Sequence, residues 1–224
     1  MRRFLLLTAL AALAASGCAT RAGNRPAPAP VAPTPAATTI APVAPVAAPQ
    51  ATPTSDFRVT YGWAVPSSTV TVTNPLSVPV APPPAIPLPY LVEIRTGDHD
   101  GFSRITFAFR GGFPEYRFGY VARVLADGSD APVPLSGNGA LRLVFVSAQA
   151  HDNAGRSTVV DAANRSIGFP HLRAYAPAGD YEGYLTFGLG LQVAPNSDQV
   201  LPIRTGQTRR PDGLYVVAID VKDG

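Results

Sequence analysis

The 224-residue chain has one cysteine, one methionine, one tryptophan and three histidines, and only 15% of its residues are charged. A single cysteine excludes a framework of internal disulfides and a cysteine-built zinc site. His99, His151 and His171 never fall at the i,i+4 spacing of a metalloprotease helix, so a catalytic zinc would have to be gathered from distant loops. Neither a metal nor a cofactor is expected. Helical periodicity is scarce as well: no ten-residue segment carries a clear apolar stripe, apart from a weak one near Val160 to Arg165. Lysine is nearly missing, with Lys222 the one example beyond Tyr90. From Tyr90 onward 13 Lys and Arg stand against 14 Asp and Glu, with no basic cluster beyond Arg209-Arg210, which excludes a nucleic-acid footprint. The formal charge of +3 therefore belongs to the front of the chain.

Proline, by contrast, is abundant and unevenly placed: 17 of 25 lie between Pro26 and Pro89. Ahead of them, Met1-Arg2-Arg3 is a short positive start, Phe4 to Ala14 an apolar run, and Ala15-Ser16-Gly17-Cys18 a small-residue approach to the cysteine. That layout predicts a secretory signal peptide over 1–17, its apolar run being too short for a membrane span. The approach to Cys18 resembles the lipobox of bacterial lipoproteins, with Ala15 where leucine is usual. The resemblance implies lipidation of Cys18, a palmitate-type anchor and a position on the outer face of the cell membrane; each acyl CH₂ buried contributes about 0.8 kcal/mol. The paired arginines leave both general and twin-Arg export open.

Residues 18–55 are mostly Ala, Pro, Thr and Val, with Arg21 and Arg25 the only charged residues and no aromatic. Such a composition cannot bury a core and favours extended polyproline II, a stalk reaching on the order of 100 Å at about 3.1 Å per residue. Residues 56–89 differ, bringing Phe57, Tyr61 and Trp63 together with the alternating run Thr69 to Thr73. They read as an arm docking on the domain, the Thr/Val run adding an edge strand; a free arm that inserts Trp63 into a partner is the alternative.

Residues 90–224 read as β structure. Ile105, Phe107 and Phe109 alternate with Arg104, Thr106 and Ala108, and Tyr116, Phe118, Tyr120, Ala122 and Val124 alternate with Arg117 and Arg123. Val92 with Ile94, Leu141 with Leu143 and Phe145, and Tyr215 with Val217, Ile219 and Val221 supply further faces, while Tyr181 is expected to share a face with Leu185, Phe187, Leu189 and Leu191. Turn sequences rich in Gly, Asp and Pro separate them. The expectation is an all-β fold, a single β-sandwich, without the Cys pair and core Trp of an immunoglobulin framework.

Leu91 to Val121 (LVEIRTGDHDGFSRITFAFRGGFPEYRFGYV), Ala150 to Arg156 (AHDNAGR), Ala178 to Leu191 (AGDYEGYLTFGLGL) and Tyr215 to Val221 (YVVAIDV) together resemble the AMIN-like domain of exported actinobacterial lipoproteins. That domain is named after the AMIN domain of cell-wall amidases and secretins, a non-catalytic β-sandwich that targets its host to peptidoglycan. The resemblance implies the same sandwich and envelope binding, with peptidoglycan or another wall glycan as partner.

Three polar constellations are candidate ligand-binding sites. Asp98-His99-Asp100 before Gly101, with Arg104 on the following strand, echoes the start of a calcium loop but lacks its remaining oxygen ligands, so a backbone-capping turn is the simpler reading. His151-Asp152 with Arg156 sets an imidazole beside a carboxylate without any nucleophile motif, and reads as a loop clamp. Asp180 and Glu182, two apart and so expected on one strand face, stand among Tyr181 and Tyr184; paired carboxylates can hydrolyse glycosides, and tyrosines beside acids suit sugar recognition. Non-catalytic binding is the leading reading. A hydrolase using these carboxylates and His151 and a structural partner of another envelope protein are the alternatives.

Overall fold

The computed structural model describes residues 56–74, 88–194 and 200–223. The expected signal peptide, Cys18, the 18–55 linker and residues 75–87 of the proline-rich stretch lie outside the described residues. Eleven strands are formed among the described residues, and no helix. They are β1 (Arg58–Ala64), β2 (Val70–Val72), β3 (Tyr90–His99), β4 (Phe102–Arg110), β5 (Glu115–Val121), β6 (Gly139–Val146), β7 (Asp161–Ala162), β8 (Leu172–Tyr181), β9 (Tyr184–Leu191), β10 (Ile203–Arg209) and β11 (Tyr215–Lys222). One sheet has the order β1-β10-β11-β4-β3-β7 and the other β2-β5-β6-β9-β8. All pairings between strands are antiparallel except that of β3 with β7. The fold is the all-β sandwich that the alternation predicts.

Alternation builds the core directly. Ile105, Phe107 and Phe109 of β4 and Val217, Ile219 and Val221 of β11 face Phe118 of β5, Leu141, Leu143 and Phe145 of β6 and Leu185, Phe187 and Leu189 of β9. Phe107, Phe109 and Phe187 pack around Phe145 with centroids 4.8 to 6.4 Å apart, two of the three contacts with Phe145 at 5.1 Å or less. Edge contacts of this kind contribute about 1 kcal/mol each beyond their area. Within this core a polar corner is fully paired: the Tyr116 hydroxyl meets Thr60 Oγ1 at 2.6 Å and Thr205 Oγ1 at 3.1 Å.

Several local expectations change. β5 stops at Val121, and Val124 is buried from the loop that follows rather than from the strand. A bulge in β3 between Leu91 and Glu93 keeps Leu91 and Ile94 in the core but turns Val92 to the opposite face, where it packs with Ala108, Leu214 and Val216. The weak helical stripe near Val160 is instead the two-residue strand β7, paired with Glu93 and Ile94 of β3.

Residues ahead of the 90–224 segment supply one edge strand of each sheet. β1 pairs with β10, and β2, inside the Thr69 to Thr73 run, pairs with β5. Phe57 lies against Gly206, so closely that a Cβ there would overlap the ring. The same outer face carries Asp220, fully buried between Arg104 and Arg204, which reach its carboxylate at 2.6 Å each. Arg104 lies 4.8 Å from the Phe57 ring centroid and Arg204 4.5 Å from that of Trp63, so guanidiniums and aromatics interleave across β1, β10, β11 and β4.

Candidate functional site

The hairpin joining β8 to β9 decides where the third constellation lies. Tyr181 pairs with Tyr184, and the two residues between them, Glu182 and Gly183, have φ of 50° and 78°. This is a two-residue turn with both central residues left-handed, the geometry that follows strand twist. Upstream, a bulge between Pro177 and Gly179 inserts one residue into β8 and shifts its parity. Asp180 is consequently opposite Leu185, on the core side, whereas Tyr181 and Tyr184 project from the outer face, 72% and 49% exposed. The expectation that Tyr181 shares the face of Leu185 is thus corrected, and so is the shared face of Asp180 and Glu182.

Two separate concavities result. The first, about 530 Å³, lies on the outer face of the β2-β5-β6-β9-β8 sheet and is lined by Tyr181, Glu182 and Tyr184 together with Arg117, Arg142 and Thr186. Arg117 is held by Glu115 at 2.8 Å and Arg142 by Asp127 at 2.9 Å, so both guanidiniums are oriented while each keeps donors free. Asp127 is itself fixed by its backbone N–H, which donates to Ala178 O at 2.7 Å. Thr186 is wholly buried, and its Oγ1 has no hydrogen-bond partner among the described residues. The sequence alone points to the tyrosines and Glu182 but not to Arg117, Arg142 or Thr186. Their signal was present as the polar half of the β5, β6 and β9 alternations.

The second concavity, about 630 Å³, opens between β3 with β7 and β8, where the two sheets end. His151 and Asp180 meet there: Nδ1 of the imidazole is 2.6 Å from Asp180 Oδ2, which also accepts the Ala150 N–H at 3.0 Å. Because a carboxylate only accepts, Nδ1 carries the proton, and Nε2 of a neutral His151 keeps its lone pair. Asp180 Oδ1 is buried with no hydrogen-bond partner.

Other sequence candidates take local partners. Asp152 clamps its own loop, accepting the Ala154 and Arg156 N–H groups and the Arg156 guanidinium. The backbone and side-chain hydrogen bonds from Arg156 hold its carboxyl below the usual range. Asp98 accepts the Ser103 hydroxyl across the β3–β4 hairpin at 2.9 Å, His99 stacks on Phe102 with ring centroids 4.7 Å apart, and Asp100 is exposed in the turn. Arg104 points to Asp220, away from any role with the Asp98 turn. None of these residues, nor Glu182, lines the His151–Asp180 concavity. Among the described residues no group of three or more His, Cys, Asp or Glu could hold a metal ion.

The two-sheet sandwich thus carries one concavity on an outer face and another at an open edge. The family model for the AMIN-like domain matches residues 89–223, and the chain belongs to that family. The match supports an envelope-associated binding domain. No curated protein and no solved structure matches the chain.

Proposed function

We propose that the protein is a lipid-anchored cell-surface binding protein whose sandwich holds wall glycan, peptidoglycan foremost, without catalysis. One observation carries the reading: Tyr181 and Tyr184 stand exposed and paired across a tight turn, beside Glu182, Arg117 and Arg142, over a single open concavity. A phenol ring offers an apolar face to the C–H face of a pyranose and a hydroxyl at its edge. Glu182 accepts from sugar hydroxyls, and the two guanidiniums donate to hydroxyl, acetamido and carboxylate oxygens.

Anchoring rests on the sequence of residues 1–18, with Cys18 as the lipidated residue and the proline-rich segment as the spacer that carries the sandwich into the wall. Metabolic labelling with a palmitate analogue tests it: wild type incorporates label in the membrane fraction and Cys18→Ala does not.

The glycan reading is tested with purified sacculi. The full chain is expected to sediment with them, and the Tyr181→Ala/Tyr184→Ala variant to stay in the supernatant with an unchanged melting temperature, both side chains being exposed. Absence of wild-type enrichment over an unrelated β-domain of similar charge, or equal sedimentation of the double variant, overturns it.

A further inference from the structure

The concavity at the open edge of the sandwich is a second site, physically separate from the tyrosine face. Its floor is core: Leu185 and Phe187 are 1% and 3% exposed, with Ile94 and Val159 beside them. Its polar groups are of two kinds. At one end Asp180 and His151 form a pole rich in acceptors, with Asp180 Oδ1 still unpaired. Arg165, exposed on the loop before β8, lines the same concavity, and its guanidinium makes no hydrogen bond or salt bridge among the described residues.

The two poles are spaced by the fold. The Arg165 carbonyl accepts the Tyr175 N–H at 3.0 Å, which fixes the Arg165 backbone beside Tyr175. Tyr175 and Asp180 are five residues apart on β8, roughly 16 Å at about 3.3 Å per residue. The bulge in β8 and the reach of the arginine side chain both shorten that gap. An extended peptide of three residues spans about 10 Å. An anion alone would leave Asp180 unmatched, and a cation alone would leave Arg165 unmatched.

We propose that this concavity binds a short apolar peptide with both ends free: its ammonium on Asp180 and His151, its carboxylate on Arg165, its side chains over Leu185 and Phe187. The site does not depend on glycan binding by Tyr181 and Tyr184, and either can fail alone.

Calorimetric titration of the full chain with the tripeptide Ala-Leu-Ala tests the assignment. Acetylating the peptide amine or amidating its carboxylate is expected to raise the Kd at least tenfold. Arg165→Gln should bind the free and amidated peptides alike, and Asp180→Asn should bind the free and acetylated peptides alike. Arg165 is exposed and unbonded, so its variant keeps the test decisive even where Asp180→Asn fails to fold. No binding at millimolar peptide, equal binding of the doubly blocked peptide, or an Arg165→Gln protein that still discriminates against the amide overturns the proposal.

Discussion

The Phe57 ring occupies the space that a side chain at Gly206 would need. Phe57 precedes β1, and Gly206 sits in β10, so this contact presses the entering chain onto the outer face where Arg104, Asp220 and Arg204 meet. Gly206→Ala should expel the ring and cost about 1 to 3 kcal/mol, as overpacking does. Hydrogen exchange should then quicken in β1 before it does in β4 or β11. Uniform loss of protection across the whole sheet would show that Phe57 does not hold the edge.

Asp220 is the most constrained charge on that face. It is fully buried, and two guanidiniums share its two oxygens. Replacing it with asparagine removes the negative charge and leaves two cations together at a partly buried position, a change that typically costs about 3 kcal/mol. Denaturant unfolding of Asp220→Asn should show a lower midpoint with an unchanged slope. A loss under about 1 kcal/mol would mean the triad is solvated rather than structural.

The legible part of the fold is the part where a strand keeps period two and buries one face. Ile105, Phe107 and Phe109 and their partners Val217, Ile219 and Val221 announce themselves for that reason. Legibility fails where one residue is inserted. The bulge at Pro177–Gly179 sends Asp180 to the core side and to His151, and the left-handed pair Glu182–Gly183 ends the strand before a second carboxylate can join it. β1 is hidden by register shifts on either side of Tyr61 that break its alternation. The candidate residues were nameable from sequence, but their grouping was not, since it depends on these parity changes and on which sheet edges remain open.

Glu182 bears on both stability and binding. A non-glycine residue with φ near 50° costs about 1 to 2 kcal/mol, less for asparagine, which tolerates the left-handed region. Glu182→Asn should therefore raise unfolding free energy by about 1 kcal/mol while weakening sedimentation with sacculi several-fold through loss of the carboxylate. A variant that is more stable yet binds as tightly would remove Glu182 from the recognition face; one that is less stable would refute the turn assignment.

Phenols withdrawn from water, buried Tyr116 and half-buried Tyr120 among them, set the alkaline limit of the fold. Burial is the main cause that pushes the Tyr116 hydroxyl up, and burial pushes that of Tyr120, which donates to Leu201 O at 2.7 Å, up further. A pKa raised in the folded state means that the unfolded chain releases its proton first, at about pH 10. Their contribution is therefore complete below that pH and declines as pH rises through the folded values. Tyr120→Phe forfeits the hydrogen bond and should be less stable than wild type by about 1 kcal/mol at pH 7. Above about pH 10 the gap should narrow, because wild type alone loses stability through this phenol. Denaturation curves for both proteins at pH 7, 9 and 10.5 measure it, and a gap that widens with pH would contradict the burial of Tyr120 as a neutral donor.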